Sequence, residues 1–145
     1  MTVEKPILLV EDNPDEETLT LRAILKHRIN AAVTVARDGV EALEYLFPLA
    51  GRSAPRLPWL VIVDLKLPRV NGFEVITRLR ADDHTRLLPV VVFSSSTEGA
   101  DVHRCYELGA NGYVAKPVAA ERYHEAVGLV MNYWLNLNQD PYLRK

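Results

Sequence analysis

The stretch Trp59-Leu60-Val61-Ile62-Val63-Asp64-Leu65-Lys66-Leu67-Pro68 decides how this chain is read. An apolar, largely β-branched run without polar alternation ends in a carboxylate, the pattern of a strand buried on both faces that stops at a charged loop. A second run, Ile7-Leu8-Leu9-Val10, stops at Glu11-Asp12. Two parallel strands that each end in acid bring three carboxylates to one sheet edge. In open α/β sheets the ligand crevice lies outside the carboxyl ends of the strands. Acids crowded there either raise a pKa or hold a hard cation.

Working outward, strand-like runs recur at Ile7–Val10, Val33–Ala36, Leu60–Val63, Val90–Phe93 and Gly112–Ala115, with amphipathic stretches between them. That alternation predicts βαβ units around a parallel sheet. Asn13-Pro14-Asp15 opens a first helix by cap and fixed φ, with Leu19, Ala23, Ile24 and Leu25 as its apolar face. Asp38-Gly39 opens a second, with Val40, Leu43, Leu46 and Phe47 at helical spacing. A third runs from Phe73 to Arg80. A fourth covers Ala100 to Leu108 and is ended by Gly109 as a left-handed cap, and a fifth runs from Ala119 into Asn136. The three prolines of Pro48–Pro58 mark a longer loop, read as a surface insertion with a partner contact as the alternative.

The 145 residues, 48% hydrophobic and 25% charged, suit one domain with an ample core, its body at about residues 6–135 and an extension at 136–145. A net charge of -2 with acids and bases interspersed gives no basic footprint for nucleic acid, so the expected partners are proteins. A single cysteine, Cys105, fits a reducing compartment. No apolar run approaches the roughly 20 residues of a membrane span and Met1-Thr2-Val3-Glu4-Lys5 lacks a signal-peptide pattern, so the expectation is cytoplasmic, with no membrane partner. His27, His84, His103 and His124 show no metal-ligand spacing.

The residues that follow each strand carry the chemistry. They are Glu11 and Asp12 after the first, Asp64 after the third, Ser94 after the fourth and Lys116-Pro117 after the fifth. In this order Val10-Glu11-Asp12-Asn13, Asp64 with Leu67-Pro68 and Asn71-Gly72, Ser94, and Gly112-Tyr113-Val114-Ala115-Lys116-Pro117 resemble the receiver domain of two-component response regulators, across about residues 6–135. The resemblance implies a flavodoxin-like, doubly wound sheet of five parallel strands in the order 2-1-3-4-5 with five helices.

It also implies roles. Asp64 is the expected phosphoacceptor from a phosphohistidine on a sensor histidine kinase. Glu11, Asp12, Asp64 and the backbone carbonyl of Lys66 are the expected ligands of Mg²⁺. Lys116 and Ser94 are expected to hold phosphoryl oxygens, and Lys66 and Ser96 lie where this family modulates access of water. Ser94 and Tyr113 are the expected switch pair: Ser94 is drawn toward the phosphoryl group and Tyr113 then rotates inward. Pro117 is where the family carries a cis peptide bond. Ser94 stands where threonine is frequent and Glu11 where aspartate is common, which preserves the hydroxyl and the charge.

Taken singly, each residue has a plainer reading: Asp64 as a turn residue, Glu11-Asp12 as charge at a helix start, Lys116 as solvated, Ser94 as loop, Tyr113 as core. The expected output is protein contact and not enzymatic turnover, because no DNA-binding or catalytic domain follows. The alternatives are a dehalogenase-like phosphatase with Asp64 as nucleophile, which needs an aspartate where Lys66 stands; a flavin module, whose phosphate the acids would repel; and an adaptor that is never phosphorylated.

The last helix carries one apolar stripe at Tyr123, Ala126, Val127, Val130, Met131 and Trp134, and a second at Leu129, Tyr133 and Leu137. Together they exceed the arc a surface helix buries. The excess predicts an isologous homodimer through helix four, strand five and helix five. The alternative is that the tail Asn136–Leu143, with Trp134 and Tyr142, folds back to cover it. The loop after helix two and the Asn132-Tyr133-Trp134-Leu135 ending look similar to stand-alone receivers that partner bacterial phytochrome kinases.

Overall fold

In a computed structural model, which describes residues 4–48 and 57–144, the elements are β1 (Lys5–Val10), α1 (Pro14–Lys26), β2 (Ala31–Ala36), α2 (Gly39–Leu46), β3 (Leu60–Val63), α3 (Gly72–Ala81), β4 (Val90–Ser94), α4 (Gly99–Leu108), β5 (Gly112–Ala115) and α5 (Ala120–Asn132), followed by a π-helical turn at Tyr133–Leu137. All five strands are parallel, in the order β2-β1-β3-β4-β5. Most of the proline-rich loop lies outside the described residues.

Because successive side chains of a strand point to opposite faces, the apolar runs feed two cores. Leu8, Val10, Val61, Val63, Val90 and Val92 pack under α2, α3 and α4. Ile7, Leu9, Ile62, Val91 and Phe93 pack under α1 and α5. The register Leu9↔Ile62 and Val10↔Val63 brings β1 and β3 to an end at the same level, so Glu11 and Asp64 emerge side by side.

Helix starts follow the sequence. Asn13 caps α1 by accepting from Asp15 N at 2.9 Å and Glu16 N at 3.1 Å. Asp38 caps α2, accepting from Glu41 N at 2.8 Å, while its other oxygen accepts from Arg69 Nη2 at 2.7 Å. The Glu41 hydrogen bond first, and Arg69 after it, hold this carboxyl below its ordinary range. Gly109 takes φ 105°, the left-handed cap expected of it.

Three sequence expectations change. Leu25 is 78% exposed, because one residue turns a helix by about 100° and the buried face of α1 is set by Thr20, Ala23 and Ile24. The fifth helix ends at Asn132, and the π-helical turn after it buries Leu135 while leaving Trp134 half-exposed. Among the described residues no peptide bond is cis, the one before Pro117 included.

The tail beyond the π-helical turn crosses the opposite, N-terminal edge of the sheet. Asp140 binds Arg144 through both oxygens, Nε to Oδ2 at 2.8 Å and Nη2 to Oδ1 at 3.1 Å. Arg144 also donates to the carbonyls of Leu57 and Pro58 and lies 4.9 Å from the Trp59 ring. Tyr142 donates to His84 O at 2.9 Å. The tail therefore does not cover the second stripe of α5: Leu129, Tyr133 and Leu137 are 72%, 49% and 64% exposed.

Candidate functional site

At the carboxyl edge the sheet ladder continues one residue past several strands. Glu11 N donates to Ala36 O at 2.9 Å, Asp64 N to Val10 O at 3.1 Å and Lys116 N to Ser94 O at 2.8 Å. Backbone pairing, and not side-chain attraction, thus places the two acids and the amine.

Those placements converge on the Lys116 ammonium, whose side chain is almost fully buried. Nζ donates to Glu11 Oε1 at 2.6 Å, to Asp64 Oδ2 at 2.8 Å and to Glu16 Oε2. Burial pulls the ammonium pKa down, and the hydrogen bonds to Asp64, Glu11 and Glu16 more than reverse this, so it lies above the ordinary lysine value. Glu11 moves the other way for an acid. Burial raises its carboxyl to about 7, and the hydrogen bond from Lys116 offsets only part of that. Oδ1 of Asp64 accepts from Leu65 N at 2.7 Å, which fixes the carboxylate plane. Gly72 is required next to it, since a Cβ there would lie 2.3 Å from Asp64 O; this gives the Asn71-Gly72 pair its physical reason.

Three carboxylates share one ammonium, and their oxygens lie within 4.8 Å of one another. The formal excess of two negative charges, on oxygen donors alone, fits a hard divalent cation. Asp12 stands apart from this group: it is exposed, and Glu16 occupies the third place in the cluster. Lys66 is exposed, its amide 3.5 Å from Asp64 Oδ1.

Glu16 is the residue that sequence reading missed. It stands three residues after the cap Asn13, where a glutamate ordinarily reaches back to the cap's own N–H. Here Glu11 Oε2 accepts from Asn13 N at 3.3 Å, and Glu16 turns to Lys116.

Ser94 is fully buried at the end of β4, where Oγ accepts from Ser96 N at 3.3 Å. Tyr113 already lies inward, its ring packed against the core and its hydroxyl donating to Ser96 O at 2.8 Å. Inward rotation is therefore not a movement left to make from this conformation. The Phe93 ring centroid lies 6.0 Å from Lys116 Nζ and the ring packs on Tyr123, their centroids 5.0 Å apart, and the Tyr123 hydroxyl and Thr20 Oγ1 share a hydrogen bond of 3.0 Å that ties α5 to α1.

A strand order of 2-1-3-4-5 with acids after β1 and β3, a hydroxyl on the last residue of β4 and a lysine after β5 defines a receiver. The response regulator receiver domain family matches residues 7–128, and the chain belongs to that family, that is, to two-component signalling. Among its relatives is response regulator Rcp1 of Synechocystis sp., 30% identical over 90% of this chain and 89% of that protein; the Mn²⁺-bound form of Rcp1 superposes with a TM-score of 0.87, at 29% identity over 94% of this chain and 99% of that one. The phosphorylated cyanobacterial phytochrome response regulator RcpA gives 0.90, at 31% identity over 96% and 99%. The bacteriophytochrome response regulator AtBRR gives 0.72, at 44% identity over 87% and 91%. No described helix is long and apolar enough to cross a membrane.

Proposed function

We propose that this protein is a phosphoacceptor: Asp64 takes a phosphoryl group from a phosphohistidine of a sensor histidine kinase. The observation that carries this reading is the contact of Asp64 Oδ2 with Lys116 Nζ at 2.8 Å, in a site whose other carboxylates leave negative charge uncompensated. The P–N bond of the donor breaks as an O–P bond forms on the Asp64 carboxylate, and the imidazole leaves with a proton from solvent. Glu11, Asp64 and the Lys66 carbonyl would hold Mg²⁺, with Asp12, exposed in the metal-free conformation, turning in to join them; the ion neutralises charge between the carboxylate and the incoming group. Lys116 stays protonated throughout, as its raised pKa favours, and holds a phosphoryl oxygen, while Ser94 donates to another.

The chain is then a substrate of the kinase and not itself an enzyme. Lys66 supports this, since it fills the place of the second aspartate that a dehalogenase-like phosphatase uses. Phytochrome kinases are the favoured donors, because RcpA and AtBRR are phytochrome response regulators by name. Output runs through protein contacts in the cytoplasm, with no nucleic acid or membrane partner. The uncovered Leu129, Tyr133 and Leu137 stripe supports an isologous homodimer on the α4-β5-α5 side.

The test is incubation with a small phosphodonor and Mg²⁺, followed by intact mass. Wild type is expected to gain one phosphoryl group and Asp64→Asn none; equal gain in both would assign the acceptor elsewhere. Sedimentation at tens of micromolar is expected to show a dimer that Tyr133→Asp weakens, and monomer alone would remove the dimer.

A further inference from the structure

Lys116 has three ammonium protons, and Glu11, Asp64 and Glu16 take all of them. While Asp64 is still a carboxylate, an oxygen of the incoming phosphoryl group can be held by Lys116 only if one of these contacts is surrendered. The three are not equally free to leave. Glu11 and Asp64 project from strand ends fixed by ladder hydrogen bonds, and their side chains are 3% and 11% exposed. Glu16 reaches in from the first turn of α1 and is 30% exposed, so its carboxylate can pass to water without leaving a buried charge behind. Its usual task at this helix position, the cap N–H of Asn13, has already been taken by Glu11.

Resting on the phosphoacceptor reading of Asp64, we infer that Glu16 is a positioning residue that tethers Lys116 in the resting site and is displaced by the phosphoryl group it competes with. It sets how readily an anionic donor enters and does not touch the reacting atoms. Glu17, the next residue, pairs with Arg37 at 3.2 Å and has no contact with Lys116, which makes it the matched control for a charge change alone.

The experiment compares wild type, Glu16→Gln and Glu17→Gln in two readouts. In the first, acetyl phosphate with Mg²⁺ is titrated: Glu16→Gln lowers the half-saturating donor concentration at least about threefold, a Coulomb effect on an anion approaching the freed lysine, with the maximal rate changed far less. Glu17→Gln leaves both unchanged. In the second, without metal or donor, modification of Lys116 by an amine-selective reagent, mapped by mass, is faster in Glu16→Gln than in wild type or Glu17→Gln. The inference is overturned if Glu16→Gln matches wild type in either readout, or if Glu17→Gln shifts the titration equally, which makes the effect one of general charge. Failure of the underlying reading looks different: wild type then takes up no phosphoryl group at any donor concentration. That outcome overturns the competing role as well, even where the amine readout shows the tether.

Discussion

The two edges of this sheet each bury a cation among acceptors, with opposite outcomes. At the N-terminal edge Arg144 meets one carboxylate in a bidentate pair, two carbonyls and the rings of Trp59 and Tyr142. Burial works against the Asp140 carboxylate, and the Arg144 guanidinium and amide outweigh it, so its pKa falls below the ordinary range. At the carboxyl edge Lys116 serves three carboxylates, and Glu11 rises to about 7 because burial exceeds what one shared ammonium returns. Charge is satisfied at the N-terminal clasp and left in excess at the carboxyl edge, where the proposed phosphoacceptor stands. The lesson is that a buried ion pair reports stability or reactivity according to whether its charges close.

The largest effect expected from breaking this contrast is at Asp64. Asp64→Asn abolishes phosphoryl uptake, and by removing one of three crowded acids it raises the melting temperature of the metal-free protein. A melting temperature that falls instead would mean that Asp64 helps to hold the fold and is no excess charge. Arg144→Ala does the reverse: it leaves the buried Asp140 carboxylate with two backbone amide donors and no cation and costs about 2 kcal/mol in denaturant unfolding, with phosphoryl uptake retained. Gly72→Ala couples the two properties, because its Cβ must displace the Asp64 backbone 2.3 Å away. Stability is expected to drop by about 2 kcal/mol and uptake to slow together.

The smallest expected effect is in pH dependence, where the two edges have opposite signs. Glu11 ionises at 4.5 when unfolded and at about 7 when folded. Between these values the folded state keeps a proton that the unfolded chain has lost, so its contribution to stability declines as pH rises from 4.5 through 7. Asp140 is depressed, so its contribution is present above pH 3.8 and is lost only as pH falls further. Thermal melts of metal-free protein across pH 3 to 8 should lose the upper slope in Glu11→Gln and keep the acid limb; an unchanged upper slope would assign it to another group.

Much of this was legible in the residues. β1 and β3 read as buried because Ile7–Val10 and Leu60–Val63 are apolar without alternation, and the acids that end them had to emerge at one edge once the strands were parallel. Helix starts at Asn13 and Asp38 were equally local, since a cap bonds residues two or three away. Asp12 was less legible: it is exposed, while Glu16, in the first turn of α1, takes the third place among the clustered acids. Tyr113 read as a switch residue or as core, and its inward position depends on a hydroxyl contact with the Ser96 carbonyl, 17 residues away, that no local pattern shows.

The sequence by itself therefore determined the strands, their caps and the chemical types gathered at the carboxyl edge, because periodicity and capping act within a few residues. Tertiary structure alone decided which acid Lys116 would hold, where the tail would lie and which stripe of α5 would stay uncovered. Lys116 and Glu16 are 100 residues apart, and Arg144 and Leu57 are 87. Contacts across such separations are set by how helices settle on the sheet, which no local pattern encodes.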